Sequence, residues 1–459
     1  MMAWSSNRAL DMTKGSILSN LFRFSLPLAF SSVLQLLYNA ADVMVVGRFA
    51  GAQSLAAVGS TSALINLLTT LFVGLATGVN VLIAHANGAG DFSKISKATH
   101  TAVTLSLFVG VLVMLAGLFL SRPLLEIMGS PEDVIDLAAL YLRIYFLGMP
   151  ASMLYNFGAN VVRAMGDTKS PLLYLSVSGI VNVLLNLLLV IVFKMGVAGV
   201  AIATVASQVL SAFFVIRHLF HSHTAIHLDL EKLCLVKEYV LEIIRIGLPV
   251  GIQNSLFSVT NVMLQSTVNA QGSLVMAGNA ASQNLEGFIS SFTSAFGGSI
   301  LTFTSTNRGA KEYDRVRKGL WQCLGLVFVL ALIIGMSVWA AGPFLLGLYN
   351  QDPEVIKWGM VRLSVMAPNY FLAGGLNVCS SQLRGVGYSV LPMVITLTGV
   401  CVLRILWLLV IFPLNPVMNM LYISYPITWL LTALAHLGCY LVFGLAKIRK
   451  EEAGIAMQG

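Results

Sequence analysis

The chain has 459 residues, 57% of them hydrophobic and only 10% charged, a composition too apolar for a soluble two-domain protein. Its formal net charge of +8 would suit a nucleic-acid binder, but the cations sit in short segments between apolar runs. That placement is a topology signal and excludes nucleic acid as the expected partner.

Read from the N-terminus, Met1 to Asp11 is polar and leads into an apolar span too long for the hydrophobic region of a cleavable signal. Apolar runs of about 20 residues, enough to cross a bilayer, then follow one another to the end. They predict helices near 17–46, 54–83, 95–119, 135–158, 170–193, 197–219, 239–267, 274–305, 316–341, 355–380, 390–412 and 417–446. Alternate loops collect Lys94, Lys97, Arg163, Lys169, Arg217, Lys232, Arg308, Lys311 and Arg384, whereas the opposite loops hold only Arg48, Arg122, Lys194 and Lys357. The cation-rich side is cytoplasmic, which places both termini in the cytoplasm.

The sequence is written twice. Arg163-Ala-Met-Gly-Asp-Thr-Lys-Ser-Pro171 returns as Arg384-Gly-Val-Gly-Tyr-Ser-Val-Leu-Pro392, and Gly88-Ala-Gly-Asp-Phe92 as Gly309-Ala-Lys-Glu-Tyr313, both displaced by 221 positions. Arg23-Phe-Ser-Leu-Pro27 returns as Arg245-Ile-Gly-Leu-Pro249, displaced by 222. Six spans per copy let the second copy enter the membrane as the first does. The expected fold is therefore an all-α membrane protein, with twelve transmembrane helices in two six-helix lobes related by pseudo-two-fold symmetry about the membrane normal. The expected divisions are a cytoplasmic N-terminus 1–16, an N-lobe 17–219, a cytoplasmic linker 220–238, a C-lobe 239–446 and a cytoplasmic tail 447–459. Two lobes enclosing a cleft is the usual architecture of a secondary transporter.

The linker carries His218, His221, His223 and His227, which read as a solvated segment and not as a metal cluster. Cys234, Cys323, Cys379, Cys401 and Cys439 have no metal or disulfide spacing and read as packing thiols.

Leu26-Pro27, the run Tyr38-Asn-Ala-Ala-Asp-Val-Met-Val-Val-Gly-Arg48, Gly88–Phe92 and Arg163–Pro171 resemble the multidrug and toxic compound extrusion (MATE) transporters over essentially the whole chain. Within that family the chain looks most similar to bacterial DinF-like members. The resemblance implies a multi-pass protein of the cell membrane that exports organic cations or amphipathic compounds by alternating access. It implies exchange for H+ or Na+, with no cofactor beyond the coupling ion. The expected partners are small-molecule substrates and membrane lipid, with the chain a monomer.

Asp42 lies late in the first span, where a charged, unpaired carboxylate costs several kcal/mol. It reads as the proton or cation site, the role the family gives the Asp of this motif, or as an interfacial Asp paired with Arg48. Gln35 and Asn39 share its helix, and Asn39, three residues away, is expected on the same face. Asn182 and Asn186 share a face of the fifth span. These amides can extend a proton network, supply carbonyl ligands to a hard cation, or make ordinary interhelical hydrogen bonds. Asn186 departs from the relatives with an Asp there, which leaves Asp42 the expected sole carboxylate of the N-lobe site.

In the second copy Glu286 is the deep carboxylate, with Asn279 and Gln283 on the same helix. It reads as a second proton or cation site, as an anionic contact for a cationic substrate, or as the structural partner of Arg362 or Arg404. The resemblance gives the NorM-like branch acids on its seventh and tenth helices, but residues 246–267 and 355–380 hold no Asp or Glu, which argues against a NorM-type sodium site in the C-lobe. Pro27 and Pro249 lie inside helices and are candidate hinges. Arg163 and Arg384 are expected to mark tight structural turns.

An enzyme is not expected, because His436 is the one histidine deep in a span and has no evident nucleophile beside it. The alternative within the architecture is a lipid-linked oligosaccharide flippase. That function calls for a strongly cationic cavity, and the deep cations here are Arg143, Arg362 and Arg404.

Overall fold

The computed structural model describes residues 9–128 and 131–456. Sequence expectations for 1–8 and 457–459 lie outside the described residues. Every regular element among those residues is helical.

The chain runs through α1 (Ile17–Phe49), α2 (Ala52–Gly88), α3 (Phe92–Ile127), α4 (Glu132–Leu147), α5 (Met149–Ala164), α6 (Lys169–Leu187) and α7 (Gly196–Phe220). Then follow α8 (Lys237–Asn269), α9 (Ser273–Gly309), α10 (Tyr313–Ala340), α11 (Gly342–Gly347), α12 (Pro353–Met366) and α13 (Tyr370–Gly385). The last are α14 (Val390–Thr396), α15 (Leu403–Leu406), α16 (Met418–Cys439) and α17 (Leu445–Ala456). Side-chain caps start several of them. Asp91 accepts from Lys94 N at 2.9 Å to open α3, and Asp167 accepts from the backbone N of Lys169 and Ser170, both at 3.0 Å, to open α6.

All twelve expected spans are helical, but five differ from simple rods. The fourth is α4 and α5, bent by 46° at Gly148 just ahead of Pro150. The tenth is α12 and α13, joined by a 3-10 turn at Ala367–Asn369 that contains Pro368. Proline removes a helical donor and disfavours helix in the residue before it, so both breaks follow from the sequence. The fifth, eleventh and twelfth carry π-helical turns at Leu188–Val192, Leu397–Val402, Trp407–Ile411 and Tyr440–Gly444.

Among the described residues nine helices are long and apolar enough to cross a membrane, and the bent α4–α5 pair makes ten. The two expected spans outside that set are α9 and α12–α13. The first, α9, buries Asn279, Ser282, Glu286 and further polar residues, and the 3-10 turn leaves α12 and α13 at 14 and 16 residues, each too short to span alone. The chain is an all-α, multi-span membrane protein.

The repeat is visible in the backbone. Gly51 (φ 87°) and Gly272 (φ 105°), Gly90 (φ 68°) and Lys311 (φ 63°), and Gly166 (φ 92°) and Gly387 (φ 98°) are pairs displaced by 221 residues. Each pair places the left-handed region at the same turn of its copy.

Contacts divide the chain into two compact units, 1–9 with 31–251 and 10–30 with 252–459. The cuts fall within α1 and α8, just after Pro27 and Pro249, and not in the 220–238 segment. In the first unit, α2 and α8 meet through Gly74 and Gly78 on one side and Gly247 and Gly251 on the other. A Cβ at Gly74 would strike the backbone of Gly251. Small residues spaced by four let membrane helices approach this closely.

The 220–238 segment is not fully solvated, contrary to expectation. Ile226 and Leu228 are buried in the core of the first unit, and Asp229 N–H donates to His100 Nε2 at 3.0 Å. The apolar residues between the histidines account for the docking. Its histidines go to separate partners, with His218 Nδ1 and Tyr174 Oη at 2.8 Å and His221 Nδ1 and Arg217 O at 2.9 Å.

In the second unit the start of α1 packs on α9, where Ser299 Oγ donates to Leu21 O at 3.1 Å. The expected tail from 447 is helical to Ala456 and is tied down. Arg308 grips Glu451 at 2.7 Å and Arg317 grips Glu452 at 3.1 Å.

Candidate functional site

Among the described residues each unit holds a buried polar cluster built around a carboxylate. In the first, α1 is fixed against α6 one turn before Asp42. Tyr38 Oη donates to Ser176 O at 3.2 Å, and the Tyr38 ring fills the space left by the missing Cβ of Gly179. Asp42, four residues on, therefore faces the same helix. Its side chain is 9% exposed. Asn186 Nδ2 donates to Asp42 Oδ1, and also to Asn182 Oδ1 at 3.3 Å. Thr204 Oγ1 on α7 reaches Asp42 Oδ2 at 3.5 Å. Asn186 Oδ1 is buried with no hydrogen-bond partner among the described residues. A π-helical turn at Leu188–Val192 begins two residues after Asn186; such turns recur at functional sites.

The structure thus brings together Asp42, Asn182 and Asn186, and adds Thr204, which the sequence reading missed. Thr204 is a short hydroxyl in an apolar helix and carries no spacing signal. Gln35 and Asn39 are exposed and do not join the cluster. The expectation that Asn39 shares the face of Asp42 is corrected: a spacing of three leaves residues about 60° apart around the helix, enough to turn Asn39 away. Arg48 is also exposed, with its guanidinium 5.9 Å from the Phe49 ring, and is not the partner of Asp42.

In the second unit Glu286 is 2% exposed and Arg362 4%. Arg362 Nε donates to Glu286 Oε1 at 2.6 Å and Nη2 to Oε2 at 2.8 Å, a bidentate pair. Tyr370 Oη donates to Glu286 Oε2 at 3.3 Å. Asn279 Oδ1 accepts from Arg362 Nη1 at 2.9 Å and from Tyr422 Oη at 3.1 Å, while its Nδ2 donates to Gln265 Oε1 at 3.0 Å. Gln283 donates to the same oxygen at 3.2 Å but is exposed. Of the readings open for Glu286, the geometry is that of an ion pair with Arg362. A carboxylate held by both prongs of a guanidinium offers little charge to a substrate cation.

Arg404 differs. It is fully buried, donates Nη2 to Thr428 Oγ1 at 2.9 Å, and leaves Nε and Nη1 without partners among the described residues. Its guanidinium lies 4.0 Å from the Tyr425 ring centroid and 6.0 Å from that of Phe257. Arg384 is more than a turn marker: its Nη2 donates to Gln253 Oε1 at 2.6 Å. Gln253, Phe257, Glu286, Arg362, Tyr425 and Trp429 all line one cavity of about 460 Å³ within this unit. Pro27 and Pro249 lie inside α1 and α8, which run on as helix past them.

Comparison with known proteins follows the same two-fold plan. The MatE family profile matches residues 27–188 and again 249–410. The probable multidrug resistance protein YpnP of Bacillus subtilis is 28% identical over 401 residues, covering 86% of this chain and 89% of its own. The multidrug export protein MepA of Staphylococcus saprophyticus is 22% identical over 418 residues, covering 91% and 90%. A crystal structure of MATE in the bent conformation superposes with a TM-score of 0.88 at 20% identity, covering 96% of this chain and 98% of that one. An outward-facing MATE family transporter of the MOP superfamily gives 0.88 at 21%. The structures establish the likeness of fold, and the profile, matched once in each half, establishes descent: the chain belongs to the MatE family.

Proposed function

We propose that this chain is a secondary active exporter of amphipathic and organic-cation compounds, working by alternating access in the cell membrane with both termini cytoplasmic. Inward flow of an ion through the Asp42 cluster drives it. The observation that carries the reading is a buried carboxylate partnered by uncharged donors, Asn186 and Thr204, with no cationic side chain bonded to it among the described residues. A carboxylate so placed is costly when charged, and such a group marks an ion or proton path. The multidrug names of its relatives YpnP and MepA support the substrate class.

The proton is the coupling ion this geometry favours. Asn186 turns its amide N–H, not its oxygen, towards Asp42, whereas a hard cation calls for oxygen ligands. The idle Asn186 Oδ1 supplies the complementary state. A flip of the amide presents that oxygen to a protonated Asp42, so the pair remains hydrogen-bonded with or without the proton. Proton release would then reorient Asn186 between α1 and α6 and bias the unit towards its other shape. Pro27 and Pro249 sit where α1 and α8 pass between the compact units, and serve as hinges in this scheme.

The test is flux of ethidium in proteoliposomes under an imposed pH gradient, an imposed sodium gradient, or neither. Transport driven by the pH gradient in the native chain and abolished in Asp42→Asn, with normal yield of folded protein, is the expected outcome. Sodium-driven transport would move the reading to a cation site, and full transport by Asp42→Asn would remove Asp42 from the mechanism.

A further inference from the structure

We infer that the cavity of the second unit is a binding site for aromatic carboxylates, so that the chain takes acidic or zwitterionic amphiphiles there and not simple cations. The charge balance at its walls carries the inference. Glu286 and Arg362 are the charged residues among those lining the cavity, and they neutralise one another through two hydrogen bonds. Two further guanidinium groups stand directly behind the wall. Arg404 lies over the ring of Tyr425 and near that of Phe257, and Arg384 holds the side chain of Gln253. Neither makes an ion pair among the described residues, and both leave nitrogen atoms without hydrogen-bond partners. His436, which contacts the lining residue Thr396 at 3.4 Å, adds no negative charge in any state. Three guanidinium groups, which stay ionised in proteins, thus line or back the cavity, against one carboxylate among its lining residues. In a medium that screens poorly, the excess of two positive charges acts across the cavity even without direct contact.

The rest of the wall suits an aromatic acid. Phe257, Tyr370, Tyr425 and Trp429 give flat apolar surface, and Gln253, Asn254 and Asn261 offer amide N–H groups able to donate to a carboxylate. A volume of about 460 Å³ accommodates a bicyclic ligand. A ligand cation would meet repulsion from Arg362, Arg404 and Arg384 and would find Glu286 already engaged.

The inference rests on the export reading above but narrows its substrate class, giving this cavity acids and zwitterions and leaving simple organic cations no site in it. It is tested by binding alone, so that it stands or falls apart from export. The full chain in lipid nanodiscs is equilibrated by dialysis with 2-naphthoate, with its methyl ester and with 2-naphthylmethylammonium, against empty nanodiscs. Naphthoate is expected to bind at least about tenfold more tightly than the other two, which is about 1.4 kcal/mol. Arg404→Gln should erase that preference and Arg404→Lys should keep it, so loss of charge is separated from loss of fold. Glu286→Gln, which frees the fork of Arg362, should tighten naphthoate binding by about another tenfold. Tighter binding of the ammonium compound, an unchanged acid preference in Arg404→Gln, or weaker naphthoate binding in a folded Glu286→Gln would each overturn the inference.

Discussion

The Arg362→Met substitution tests the polar interior of the second unit most directly. It removes two hydrogen bonds of 2.6 and 2.8 Å to Glu286 and one of 2.9 Å to Asn279, along with guanidinium contacts 5.3 and 5.4 Å from the rings of Tyr422 and Tyr425. Asn279 Oδ1 keeps its bond from Tyr422, so its loss is small. Glu286 is left, 2% exposed, with the Tyr370 hydroxyl at 3.3 Å as its remaining donor. Breaking a buried ion pair by removing one member costs about 3–5 kcal/mol, because the surviving charge is stranded. Replacing both members with apolar groups of similar size is often neutral. The double variant Glu286→Met/Arg362→Met should therefore recover most of the loss. Apparent unfolding free energies from detergent titration of the two single variants and the double variant form a cycle, with an expected coupling of about 2–3 kcal/mol. Arg362→Lys should fall between native and Arg362→Met, since an ammonium keeps the charge but not the fork. A cost below about 1 kcal/mol for Arg362→Met, or strict additivity in the double variant, would refute a structural ion pair.

Asn186→Asp is expected to fold, to retain efflux and to change its pH dependence, because two carboxylates in contact titrate as a coupled pair. An active variant with an unchanged pH profile would separate the two positions. Thr204→Val keeps the shape of α7 but removes the hydroxyl from Asp42 Oδ2, and should lower the rate of pH-driven efflux without changing yield. Gly51→Ala and Gly272→Ala place a Cβ where ψ is 170° and 167° at positive φ, and each should cost about 1–3 kcal/mol in detergent titration. Lys311→Gly, at φ 63° in the repeat position of Gly90, should stabilise by about 1 kcal/mol, and destabilisation would disprove the strain argument. Gly74→Leu should separate α2 from the Gly247–Gly251 stretch of α8 and reduce folded yield more than Gly59→Leu, where a Cβ meets nothing within 4 Å.

The hydropathy pattern located all twelve helical segments because apolar length is a local property of the sequence. Two of them stand apart from the rest: α9 buries many polar residues, and a 3-10 turn divides the other into α12 and α13. The breaks at Gly148 and at Ala367–Asn369 carry a visible signal, an X-Pro step within an apolar run, which the reading of unbroken spans passed over. Docking of the 220–238 segment was not legible, since Ile226 and Leu228 become core residues only through contacts distant in sequence. For the same reason a sequence can nominate Glu286 and two candidate arginines but cannot choose between them. The choice is made by α9 and α12 lying side by side, which brings residues 76 positions apart to 2.6 Å.

The repeat explains why the candidate sites were harder to read than the fold. Duplication copied the turns, the mid-helix prolines and the left-handed backbone positions, but not the chemistry. In the register that maps Pro27 to Pro249, Asp42 corresponds to Leu264, a buried apolar residue. In the register that maps Gly51 to Gly272, Glu286 corresponds to Ile65. The turns answer to backbone constraints common to both copies, so they persist. A buried carboxylate answers only to its own partners: in the first unit Asp42 has the neutral donors Asn186 and Thr204, whereas in the second Glu286 is gripped by the Arg362 guanidinium. A duplicated helical scaffold thus gives its two units different polar interiors, and the function proposed above assigns ion coupling to the first and ligand selection to the second.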